Sequence, residues 1–182
     1  MGFAYKPIRY DDLNAINAVS PCPGIVSSLP EIAKTLEKSL PKGLILIDGF
    51  PTANFPKLIN QLKASSKELK IVDITTLQVT PDQIKDRITS YLPNDQEVDP
   101  DLIFAKLYDG EYLDFLDEQK VNSLFADLKS NQTVILFGLG SASAVFREKA
   151  KAVIFIDVTP KDTALRIFDD KYKSIGELHS DD

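Results

Sequence analysis

The sequence predicts an α/β fold, a three-layer sandwich of helices around a mainly parallel sheet. Three observations point there. Apolar runs without polar alternation, Leu44-Ile45-Leu46-Ile47, Thr133 to Phe137 (TVILF) and Ala152 to Ile156 (AVIFI), suit strands buried on both faces of a parallel sheet. Segments with apolar residues at helical spacing separate them. Strand and helix alternate along the chain, which is the connectivity of parallel crossovers.

Taken in order, residues 1–29 hold Pro7, Pro21, Pro23 and Gly24 and read as an extended arm packing on the domain. A leading helix spans Pro30 to about Ser39, with Ile32, Leu36 and Leu40 on one side and Pro41 and Gly43 as the stop. The Leu44–Ile47 strand follows, then a loop over 48–54. Leu58, Ile59 and Leu62 mark a second helix that decays at Ala64-Ser65-Ser66. Leu69 to Ile74 reads as a strand. A helix from Pro81 to about Tyr91 is signed by a capping box, with Thr80 as cap, Pro81 at the first position and Gln83 at the third. Pro93, Pro100 and Gly110 interrupt 91–116, and Leu102 to Tyr108 suits a strand or a short helix equally. Val121, Leu124, Phe125 and Leu128 define a helix over about 117–129. The TVILF strand ends in Gly138-Leu139-Gly140, and a short helix through Ala144 to Lys149 leads to AVIFI, another strand of the buried type. Thr159-Pro160-Lys161-Asp162 starts a last helix, whose apolar face is Ala164, Leu165, Ile167 and Phe168. One α/β domain over 30–175 results, with 176–182 a frayed end or truncated linker.

Composition narrows the function. The 182 residues carry 27 acidic and 21 basic side chains, net −6, and hold no run of about five Lys or Arg, so nucleic acid is not an expected partner. No apolar stretch of about 18 residues and no signal-peptide pattern occurs, so a membrane is not expected either. A single cysteine, Cys22, forms no intrachain disulfide, which leaves the cytoplasm as the expected location. Cys22 has no base near it in sequence to lower its pKa. One histidine, His179, and one cysteine are too few for a usual zinc site, so no metal of that type and no cofactor are expected.

In open α/β sheets ligands sit beyond the carboxyl ends of strands. The first such loop is Gly49-Phe50-Pro51-Thr52-Ala53-Asn54-Phe55-Pro56. It has the place and length of the phosphate-binding pattern G-x-x-x-x-G-K-[ST], yet Asn54, Phe55 and Pro56 stand at the second glycine, the lysine and the hydroxyl. Gly49, Thr52, Ala53, Asn54 and Phe55, with Gly138, Gly140 and Ser141, either form a weak anion site of backbone N–H groups or are plain strand-to-helix turns. Asp48, Asp73 and Asp157 each follow an apolar strand. They either gather as an acidic cluster able to hold magnesium through water, or cap helices and meet solvent. Asp109, Glu111, Asp114, Asp117 and Glu118 read as a solvated acidic face. No catalytic residue stands out.

The order of loops resembles the uridine-kinase-like branch of P-loop kinases over about 43–170: a phosphate loop, then Asp73 after Lys70-Ile71-Val72, then Phe137-Gly138 where Glu-Gly stands in that branch, then Ile154-Phe155-Ile156-Asp157 before a helix. The resemblance implies the fold, while the exchanged loop residues imply loss of phosphotransfer. Asp48-Gly49-Phe50-Pro51, Phe137-Gly138-Leu139-Gly140-Ser141 and AVIFID also resemble the N-terminal, kinase-like region of bacterial proteins similar to class I mannose-6-phosphate isomerases. That resemblance implies an accessory or regulatory domain, a weak phosphate or sugar-phosphate ligand, and a cupin part C-terminal to it, whose histidine-rich metal site cannot lie in a chain with one histidine. Two alternatives accompany it: an atypical nucleoside or sugar kinase with a divergent loop, and a protein-interaction domain without a small-molecule site.

Overall fold

The computed structural model describes residues 28–66, 68–93 and 105–169. Most of the expected arm, the 102–104 part of the ambiguous stretch, Cys22, His179 and the 176–182 end lie outside the described residues.

Leu29–Ser39 forms α1, one residue earlier than the spacing suggests, because Pro30 fits the first helical turn. Gly43–Gly49 is β1, buried from Leu44 to Gly49, so Asp48 and Gly49 belong to the strand rather than to the loop. Phe55–Ser65 is α2. Lys70–Asp73 is β2, which runs straight into a 3-10 turn at Ile74–Leu77. The Thr80 capping box opens α3, Pro81–Ile88, which tightens into a 3-10 turn at Thr89–Tyr91. Irregular chain and a 3-10 turn at Tyr112–Phe115 lead to α4, Glu118–Ala126. Thr133–Phe137 is β3, Ala144–Arg147 is α5, Ala150–Ile156 is β4 and Pro160–Phe168 is α6.

The four described strands make one all-parallel sheet in the order β2-β3-β1-β4. Period-two alternation splits the central strands between two cores. Ile45, Ile47 and Ile135 pack with Ala33 of α1 and Phe55, Leu58, Ile59 and Leu62 of α2 on one face. Leu44, Leu46, Val134 and Leu136 pack with Ile74, Leu77, Val121, Leu124 and Phe146 on the other. Helices therefore flank both faces, as the sandwich reading requires. The β1-to-β2 connection moves one way along the sheet with α2 on the first face. Those from β2 to β3 and β3 to β4 move the other way with α4 and α5 on the second, so all three crossovers share one hand.

Two expectations are corrected at the other edge. AVIFI is not buried on both sides: β4 ends the sheet, and its side chains alternate between half-buried Ala152, Ile154 and Ile156 and exposed Val153 and Phe155. The physical reason is that the second helical layer lies over β1 and β3 and reaches β4 only at Ala150. The apolar side of α6 is likewise bare, with Leu165, Ile167 and Phe168 exposed. An apolar run identifies a strand that can be covered, but only topology decides whether it is.

Candidate functional site: the crevice between β1 and β3

β1 and β3 are neighbours whose outgoing chains part to opposite faces, 50–54 toward α2 and 138–143 toward α5. That is the topological switch point, the usual ligand position of such sheets. The topology thus brings the two expected loops together, with Asp48 between them.

Asp48 is buried at the end of β1. Its Oδ1 accepts the N–H groups of Gly49 at 2.7 Å and Gly140 at 3.1 Å, and its Oδ2 accepts that of Ala142 at 2.8 Å. A loop whose N–H groups converge on one point is an anion cradle. Here the anion is the protein's own carboxylate.

Gly138 and Gly140 have φ of +118° and +86°, a left-handed backbone that glycine adopts without strain. Space demands glycine as well: a Cβ on Gly138 would meet Ile74 Cγ2 at 2.7 Å, and one on Gly140 the Tyr112 ring at 2.5 Å. The close approach at both positions is thus made by the domain's own side chains. Ser141 is fully buried, and the hydroxyls of Ser141 and Ser143 have no hydrogen-bond partner. Tyr112 lies over this loop and accepts a hydrogen bond from Gln78 Nε2 at 3.0 Å. Burial first, and then the Asp48 and Asp73 carboxylates, push its hydroxyl up to about 12, with the Gln78 bond opposing.

In the first loop most N–H groups are already used. Phe50 donates to the Ile156 carbonyl at 3.0 Å, Ala53 to Phe50 at 2.8 Å and Phe55 to Ala53 at 3.0 Å, while Pro51 and Pro56 have none to give. Asn54 is the cap of α2 and accepts the Lys57 N–H at 3.1 Å. Thr52 is buried, its hydroxyl donating to that of Thr163 at 3.2 Å, and its carbonyl accepts Arg166 Nη1 from α6. Phe55, at the lysine place, turns into the core at 8% exposure and meets Phe137 at 6.4 Å between ring centroids.

The three aspartates do not act together. Asp73 caps the turn after β2, accepting Thr75 N–H at 2.9 Å and its hydroxyl at 2.8 Å, and Asp157 accepts the Val158 N–H at 2.8 Å. No metal-holding group of carboxylates, histidines or cysteines forms among the described residues. The acidic face is partly engaged too: Asp114 accepts Tyr108 Oη and the Glu111 N–H, each at 2.8 Å, Asp109 accepts Tyr91 Oη, and Asp117 caps α4. The Tyr108 bond, followed by that of Glu111, holds the Asp114 carboxyl below its usual range.

Sequence reasoning passed over Arg166 and Tyr112, which reach the crevice from elements 114 and 28 residues away from the groups they touch, Thr52 and Gly140. No local pattern marks either.

The family model described as Domain of unknown function (DUF8485) matches residues 28–182. Neither a curated protein nor a solved structure matches the chain. With the match extending over all the described elements, the chain belongs to the DUF8485 family.

Proposed function

We propose that this is a P-loop-kinase-like domain without phosphotransfer activity, acting as an accessory or regulatory module in a cytoplasmic carbohydrate-metabolism protein similar to mannose-6-phosphate isomerases. The observation that carries the reading is Phe55. At the place where a phosphate loop presents its lysine, an aromatic side chain is instead part of the hydrophobic core, and the following Pro56 has neither hydroxyl nor N–H. No side chain there reaches a terminal phosphate or a magnesium ion. Asp48 adds to this, because its carboxylate occupies the donors of the 138–142 loop.

What remains for an anion is modest: the N–H groups of Thr52 and Asn54, with Arg166 at the loop. Binding of phosphate or mannose 6-phosphate is therefore millimolar, about 4 kcal/mol. The isomerase association rests on the DGFP, FGLGS and AVIFID segments, and its chemistry belongs to a cupin part carried C-terminally on the native polypeptide.

Calorimetric titration with magnesium-ATP tests the central claim. No heat of binding in the micromolar range and no phosphate release with nucleosides or sugars are expected; micromolar affinity with turnover makes the protein an atypical kinase. Sequencing the native reading frame tests the association, which requires a histidine-rich cupin segment after this region.

A further inference from the structure

We infer that residues 1–27 close over the open edge of β4 and cover Val153 and Phe155. β4 is the last strand of the sheet, with one edge facing no other strand, and its outward side chains Val153 and Phe155 are 47% and 62% exposed. An uncovered apolar edge strand pairs readily with other chains, and proteins protect such edges with a loop, a helix or a charge. Lys151 is the only charge on this strand.

The position of α1 identifies the cover. Only 40–42 separate α1 from β1, and α1 packs on the sheet beside α2, so it runs back along β1 and places Leu29 at the carboxyl ends of the strands. α2 leaves β1 for β2 and so lies toward β3; α1, on its other side, lies toward β4. The chain preceding Leu29 thus emerges above the β4 side. A seven-residue strand is about 23 Å long, and 27 extended residues span up to about 90 Å, so length is ample. The segment offers Phe3, Tyr5, Ile8, Tyr10, Leu13 and Ile16 as apolar cover. Residues 170–182 have only Tyr172, Ile175 and Leu178 among five acidic side chains, a poorer match to an apolar face.

The test uses the full chain with Cys22→Ser and Asn14→Cys, a nitroxide on the new thiol, and amide NMR. Loss of the Lys151, Val153 and Phe155 amide signals is expected, with recovery on adding Phe155→Glu while β1 and β3 amides keep their shifts. An unaffected β4, or signal loss confined to other elements, overturns the inference. So does loss seen only when labelled and unlabelled chains are mixed and light scattering reports a dimer, since a second copy then covers the edge.

Discussion

Asp48 and Ala142 stand 94 residues apart in the chain, yet the Asp48 carboxylate accepts the Ala142 N–H at 2.8 Å. This bond, with those to Gly49 and Gly140, ties the end of β1 to the loop after β3 and makes the crevice self-contained. A ligand anion entering the same cradle would meet a buried negative charge.

Asp48→Ala should therefore destabilise the domain by about 3 kcal/mol, because buried N–H groups that lose a charged acceptor cost roughly 1–3 kcal/mol each and partial relaxation recovers some of it. Asp48→Asn keeps one acceptor oxygen and should cost less, about 1–2 kcal/mol. Denaturant melts of both variants give the order. The stronger consequence concerns binding: with the carboxylate gone and the fold retained, phosphate affinity should rise above that of the parent chain. Equal or weaker phosphate binding by a folded Asp48→Asn protein would show that the 138–142 loop is not a cradle.

Gly140→Ala separates the two readings of the glycine loop. The φ of +86° is unfavourable for alanine, and its Cβ would press on the Tyr112 ring at 2.5 Å. Strain and overpacking together predict a loss of about 2–4 kcal/mol without any ligand present. The check is thermal or chemical unfolding of the free protein. If stability is unchanged and only binding suffers, the glycine serves a ligand and not the packing of Tyr112.

Local signals in the sequence were reliable where the physics is local. Thr80 with Gln83, and Thr159 with Asp162, announce their helices because cap and partner lie three residues apart, and the structure has both caps. The buried run Leu44–Ile47 was equally legible, since covering both faces demands continuous apolarity. The same rule failed at Val153 and Phe155, whose exposure depends on β4 being last in the strand order, a property no single segment encodes. The crevice was half legible. Its loops follow from strand ends, but Asp48 serving as the internal anion needed the β1–β3 adjacency. Tyr112 needed the path of 105–116, for which interrupted spacing gives two answers.

Restoring the phosphate-loop residues should not restore a kinase. Phe55→Lys with Pro56→Thr puts the expected side chains at the expected places, but Phe55 fills the core between α2 and the sheet. Removing a buried phenylalanine costs about 3–5 kcal/mol, and a lysine there must also carry its charge out of an apolar site. Denaturant unfolding is expected to show a loss of that size, and calorimetry no gain of magnesium-ATP binding. A folded double variant that binds ATP tightly would mean that the loop retains kinase geometry and lacks only its side chains.

Tyr112 gives the domain an alkaline weakness. Its folded-state value of about 12 lies above the ordinary tyrosine value of 10.0, burial being the main cause and Asp48 and Asp73 contributing. A group that holds its proton more tightly when folded stabilises the native state fully below pH 10. Between 10 and 12 the unfolded chain has released the proton and the native chain has not, so that contribution shrinks as pH rises and is gone above the folded value. The gap of about two units corresponds to at most about 2–3 kcal/mol lost across this window. Tyr91 and Tyr108 are also raised, chiefly through their hydrogen bonds to Asp109 and Asp114, but both are solvent-facing and add little to stability. Denaturant melts at pH 9 and pH 11 should therefore differ more for the parent chain than for Tyr112→Phe. That variant removes the titrating hydroxyl and leaves the ring against Gly140, at the cost of the Gln78 hydrogen bond at all pH values. An identical alkaline loss in both proteins would place the weakness elsewhere than in the crevice.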